Sequence, residues 1–127
     1  MTPNALLPGG VEAAGSEVFR RVLLEAVDEG LADTLGNTAK EAVLYYLERN
    51  YKVRRGEILG NLDGFASGLE AILGAGAGVV ERAILERLYT RCGLGFEVRE
   101  DFSFSDYVED ARRRTSYMRV VRGGEER

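Results

Sequence analysis

The side chains that carry most enzymatic chemistry are scarce in this sequence: there is no histidine, and Cys92 is the single cysteine. Without histidine the commonest general acid or base is missing, as is the commonest metal ligand and the base of every Ser-His or Cys-His pair. One thiol cannot build a Cys-rich zinc or iron-sulfur site or an intrachain disulfide. Chemistry would have to rest on Asp, Glu, Lys, Arg or Tyr. No catalytic, cofactor-binding or metal-ligating residue can be placed on this basis, and the sequence predicts neither a cofactor nor an enzyme.

Three constellations remain to be weighed. Gly74, Gly76 and Gly78 precede an apolar segment, and glycines before a helix N-terminus expose amides that can hold an anion. A dinucleotide fingerprint, however, needs a strand before it and its third glycine three residues after the second; a phosphate loop needs Lys-Ser or Lys-Thr. Neither condition is met. Gly74, Gly76, Ala77 and Glu81 therefore read as a helix-turn motif. The acids Glu97, Glu100, Asp101, Asp106, Glu109 and Asp110 could supply oxygen ligands, but they lack the calcium-loop pattern and read as solvated carboxylates at a helix start.

The arginines near the end form the third. From Ala111 onward, Arg112, Arg113, Arg114, Arg119, Arg122 and Arg127 face only Glu125 and Glu126, a balance of +4 in a chain of net charge -4, so the preceding part carries -8. Arginines with Tyr107 and Tyr117 nearby could hold a nucleic acid through phosphates and base stacking. The acidic body argues against that partner, and the segment from Val79 to Cys92 mixes Glu81 and Glu86 with its arginines, unlike a clean basic recognition face. Pairing of the arginines with the acidic body is the preferred reading, with nucleic acid as an alternative.

Those groups must be positioned by helices. Hydrophobic residues make up 45% and charged residues 30% of 127 residues, enough to fill one core without staples. Residues 1–15 read as a flexible leader without signal-peptide character, 16–118 as one helical domain, and 119–127 as a basic, disordered tail. Ser16 is a candidate N-cap for a first helix carrying Val18, Phe19, Val22, Leu23, Ala26, Val27 and Leu31 at helical spacing, ended by Gly36. Thr38 and Glu41 suggest a capping box for a second, with Ala39, Ala42, Val43, Tyr46 and Leu47 as its buried stripe.

Leu62, Phe65, Ala66, Leu69, Ile72 and Leu73 define a third helix. Gly60, Gly64 and Gly68 fall four apart, on what would be one ridge. Since each glycine in a helix costs about 1 kcal/mol relative to alanine, that ridge calls for a close helix crossing within the chain, a dimer contact, or a ligand against bare backbone. A fourth helix from Val79 to Tyr89 is apolar almost all round, so it should be central or covered by a second subunit. Phe96, Val98, Phe102 and Phe104 permit one short extended segment near 96–102, and Ser103 or Ser105 can cap a last helix.

The run Gly36-Asn37-Thr38-Ala39-Lys40-Glu41-Ala42-Val43-Leu44-Tyr45-Tyr46-Leu47, with the later Leu69-Glu70-Ala71-Ile72-Leu73-Gly74-Ala75-Gly76-Ala77 and Glu81, resembles the archaeal Nitrosopumilus output domain family. The likeness spans about Val22 to Cys92, and Leu73 stands where the family commonly has an aromatic. It implies a compact helical module, in some members fused to signalling domains, and it carries over no catalytic residue. The expectation is therefore an all-α, compact orthogonal bundle of about five helices. Its expected role is a non-enzymatic regulatory or protein-interaction module of archaeal type, cytoplasmic, with another protein or a second copy of itself as partner and no membrane. The alternatives are a nucleic-acid binder working through the arginine-rich part and a small-ligand carrier or enzyme using Tyr and carboxylate groups.

Overall fold

The computed structural model describes the backbone of residues 3–125 and the side chains of residues 17–115. Five α-helices follow one another: α1 Pro3–Leu35, α2 Asn37–Tyr51, α3 Leu62–Leu73, α4 Gly76–Arg91 and α5 Phe104–Glu125. Two short 3-10 turns, Arg55–Glu57 and Leu59–Asn61, link α2 to α3. No strand occurs among the described residues, so the fold is all-α, as the spacing of apolar residues requires.

Both outer helices run further than their apolar patterns suggest. Helix α1 begins at Pro3 rather than at Ser16, so its backbone passes through the expected leader, and α5 continues to Glu125 through most of the expected tail. Among the side chains described, the apolar stripe of α1 follows the pattern. Phe19, Leu23, Ala26, Val27 and Leu31 are buried, joined by Leu24.

One residue separates α1 from α2. Gly36 takes φ 89° there, a conformation that costs a side chain dearly, and its carbonyl accepts from the Lys40 N–H at 2.9 Å. Because the chain turns this early, Thr38 is already inside α2 and caps nothing: no side chain caps the helix, and the expected box with Glu41 does not form. The buried stripe is also narrower than expected. Val43 and Leu47 are inside, whereas Ala42 and Tyr46 are exposed.

Helix α3 follows its template, with Leu62, Phe65 and Leu69 buried and the Asn61 side chain accepting from the Gly64 N–H at 3.1 Å as an N-cap. Gly74, at φ 60°, ends α3, and α4 starts two residues later. Helix α4 buries Ala77, Val80, Ile84, Leu85, Leu88 and Tyr89. It packs chiefly on α1 and also on α3 and α5, so its own chain covers most of the apolar surface for which a second subunit was an option, while Val79 stays exposed.

Residues 94–103 form no strand. Phe96 and Phe102 fold back from this irregular segment onto Tyr107, with ring centroids 5.4 and 5.1 Å away, while Val98 stays exposed; the aromatic residues serve as anchors instead of one face of a pleat. Ser103 then caps α5 reciprocally: its hydroxyl accepts from the Asp106 N–H at 3.2 Å, and its own N–H donates to Asp106 Oδ2 at 2.9 Å. The core thus runs continuously from Phe19 on α1 to Ala111 on α5.

Candidate functional site

Where the 94–103 segment crosses the ends of α4 and α5, the fold leaves a cavity of about 240 Å³ that is open to solvent. Tyr89 comes from α4, Tyr107, Asp110 and Arg114 from α5, and Gly95, Glu97 and Arg99 from the segment between. Positions 107, 110 and 114 share one helix face because they are three and four apart. Tyr89 reaches them because α4 delivers it buried, with its hydroxyl needing a partner.

The hydrogen bonds are specific. The Tyr89 hydroxyl lies 2.8 Å from the Tyr107 carbonyl oxygen and 2.9 Å from Asp110 Oδ2, and its one proton serves these two acceptors. Asp110 Oδ2 also accepts from Arg114 Nη1 at 3.2 Å. The Tyr107 hydroxyl accepts from the Arg99 N–H at 2.6 Å and donates to the Arg99 carbonyl at 2.9 Å, which pins the segment to α5 at a single residue.

Burial, followed by the hydrogen bond to Asp110 and that carboxylate's charge, pushes the Tyr89 phenol far above its ordinary value, so it stays protonated and a donor. For Asp110, burial opposes ionisation, but the bonds from Tyr89 and Arg114 and the charges of Arg114 and Arg113 outweigh it and hold the carboxyl below its ordinary value. The result is an ionised acid and a protonated phenol side by side.

Two other features stand apart from the cavity. Along α1 and α4, Arg91 bonds Glu25 at 2.8 Å and also Glu29, while Arg87 reaches Glu29 at 3.3 Å and Asp33. Arg55 adds a fork onto Asp28, 3.1 and 2.5 Å away. The hydrogen bond from Arg91 is the main reason that the Glu29 carboxyl lies below its ordinary value. On α2, Tyr45, Tyr46 and Tyr51 are 57%, 49% and 41% exposed, and the Arg49 guanidinium sits 5.6 Å from the Tyr45 ring centroid.

The sequence candidates are scattered. Gly60 lies in a 3-10 turn with open space around it, Gly64 faces the Asn61 side chain, and only Gly68 marks a close helix approach, against Leu47. They form no continuous ridge. The close approach to a neighbouring backbone is at Gly30, where an added methyl carbon would lie 2.6 Å from the Ile84 side chain and 2.9 Å from its N and Cα. Gly74 is in the turn, Gly76 and Ala77 begin α4, and Glu81 is half-buried one turn on, its carboxyl raised by burial and by the Glu70 charge.

Among the arginines, Arg112 lies 3.5 Å from Glu109, and Arg113 and Arg114 lie 3.6 and 3.2 Å from Asp110, all on their own helix; they do not reach the acidic body. The side chains of Arg119, Arg122 and Arg127 lie outside the described residues, as does that of Tyr117. Nor do the acids converge: no three Cys, Asp or Glu among the described residues come together as a metal site would require. Among the same residues no helix is long and apolar enough to cross a membrane.

Sequence reasoning missed the Tyr89–Asp110 pair because the two are distant along the chain and follow no motif. A signal did exist in the tyrosine, whose hydroxyl demands a partner when its ring is buried. Compared with known proteins, the chain matches no family model, no curated protein and no solved structure.

Proposed function

We propose that this protein is a non-enzymatic regulatory module that works by protein interaction, pairing with a second copy of itself through the outer face of α2. One observation carries the reading: Tyr45 and Tyr46, with the Arg49 guanidinium over the Tyr45 ring, stand exposed side by side on α2. Tyrosine and arginine are enriched at the energetic centres of interfaces, because each combines a wide apolar surface with a polar tip. An α-helix that meets its own copy about a two-fold axis would double that patch. The archaeal signalling setting rests on the resemblance of Val22 to Cys92 alone.

Sedimentation velocity tests the pairing. At about 100 µM, a concentration that detects micromolar self-association, the protein should sediment as a dimer, and Tyr45→Ala with Tyr46→Ala should return it to a monomer. A parent protein that is strictly monomeric at that concentration overturns the proposal, as does a double variant that dimerises unchanged.

A further inference from the structure

The groups around the cavity are not all used by the fold. Among the described residues, the Glu97 carboxylate and the Arg99 guanidinium have no ion-pair partner and no side-chain hydrogen bond, although they are two apart on one segment and line the same cavity. Arg99 rests on the Phe102 ring, 5.0 Å from its centroid, a contact that orients the cation without neutralising it. Deeper in, Asp110 spends Oδ2 on Tyr89 and Arg114, while Oδ1 has only the Arg113 guanidinium at 3.6 Å, beyond hydrogen-bond range. The Tyr89 oxygen donates its proton and accepts nothing from the protein.

That inventory has a polarity. Unused acceptors, on Tyr89, Asp110 and Glu97, suit an ammonium group with up to three N–H donors. The unused Arg99 guanidinium, helped by Arg114, suits a carboxylate. Both signs border one space of about 240 Å³, below the range of about 300–1,000 Å³ usual for drug-sized ligands. A ligand with only a positive or only a negative group would leave half of these charges unanswered.

We propose that the cavity between α4, α5 and the 94–103 segment binds a free α-amino acid of small side chain, its ammonium group received by Tyr89, Asp110 and Glu97 and its carboxylate by Arg99. The site is independent of the α2 face, and binding there gives the molecule a metabolite input. Closing Glu97 and Arg99 onto one ligand would also fix the segment that Tyr107 already pins at Arg99.

Titration of the full-length, isotope-labelled protein with L-alanine, followed by amide chemical shifts, tests the assignment. Saturable shifts should concentrate at Gly95, Glu97 and Arg99. The half-ligands N-acetyl-L-alanine, without the ammonium, and L-alaninamide, without the carboxylate, should each bind about tenfold more weakly or worse, the weight of one lost charged hydrogen-bonding group. Glu97→Gln and Arg99→Gln replace exposed side chains, so both should fold with an unchanged melting temperature and bind L-alanine about tenfold more weakly. The proposal fails if L-alanine, glycine and L-serine all give no saturable shift up to about 10 mM, weaker than the millimolar affinity of a minimal contact set. It fails equally if either half-ligand matches L-alanine, or if neither variant weakens binding.

Discussion

At Gly30 a methyl group would sit 2.6 Å from Ile84 Cγ1 and 2.9 Å from the backbone N and Cα of the same residue. A side chain can swing away, but the backbone of α4 cannot without lifting the whole helix. Gly30→Ala should therefore destabilise the protein by about 1–3 kcal/mol in urea denaturation, although alanine is the better helix former by about 1 kcal/mol. Gly78 is the control: it lies in α4 with nothing within 4 Å, so Gly78→Ala should stabilise by about 0.5–1 kcal/mol. Equal effects at the two sites would refute the close crossing. The spacing of glycines pointed to Gly60, Gly64 and Gly68 because periodicity reports which residues share a face; it cannot report which face meets a neighbouring backbone, and Gly30 belongs to no such series. Glu81 gives a pH dependence at the same scale. Burial first, and then the Glu70 charge, raises its carboxyl above the ordinary 4.5, so the folded chain holds this proton more tightly than the unfolded chain. Stability should fall as pH rises from 4.5 through the raised folded value, and the cost is fully present above it. Glu81→Gln should then be more stable than the parent at pH 7, and the gap should close below about pH 4, where both forms are neutral. Urea midpoints that coincide at every pH would remove the effect.

Among the elements, the helices were legible and the segment before α5 was not. Each of α1, α3 and α4 carries enough apolar residues at three- and four-residue intervals for its buried face to be read directly, and Leu62, Phe65 and Leu69 are where the pattern put them. The expected ends failed at the start of α1, where Ser16 offered a cap inside a helix that begins at Pro3, and where one turn competes with another, at Gly36 and Thr38. Between Leu94 and Ser103 the partly alternating aromatic residues permitted a short extended segment but could not tell what would hold it, since a lone strand has no ladder to satisfy its backbone. What holds the segment is Tyr107, whose hydroxyl both accepts from and donates to the Arg99 backbone. Tyr107→Phe keeps the ring in its cluster with Phe96 and Phe102 and deletes both bonds. It should cost about 1–2 kcal/mol in global stability and strip hydrogen-exchange protection from the Arg99 amide, while the amides of α3 keep theirs relative to the new global value. An Arg99 amide as protected in the variant as in the parent would show that the aromatic packing alone fixes the segment.

For the whole molecule, the question is whether five helices with one continuous core behave as one cooperative unit. Apolar periodicity told which face of each helix is buried but not which helices pair, and the chief pairing, α1 with α4, joins elements far apart in sequence. That pairing is double in nature. Ile84, wholly buried, sits on Gly30 in its centre, and the Arg87 and Arg91 ladder with Glu25, Glu29 and Asp33 closes its rim. The ladder is exposed and fixes register more than it stabilises, since exposed ion pairs are screened and contribute little. The centre is where stability resides: Ile84→Ala should cost about 2–5 kcal/mol, a large share of the roughly 5–15 kcal/mol typical of a whole domain. If α5 is part of the same unit, docked on α4 by the Tyr89 bonds to Tyr107 and Asp110 and on α3 by the Phe65–Phe104 ring contact, this change on the opposite flank of α4 must lower its melting too. Circular dichroism, which weights all five helices, and tyrosine fluorescence, which includes Tyr89 and Tyr107 at the cavity, should therefore shift together to the same lower midpoint. A fluorescence transition that stays at the parent's midpoint while the helical signal moves would mean that the cavity end unfolds by itself, and the continuity of the core from Phe19 to Ala111 would then be geometric without being energetic.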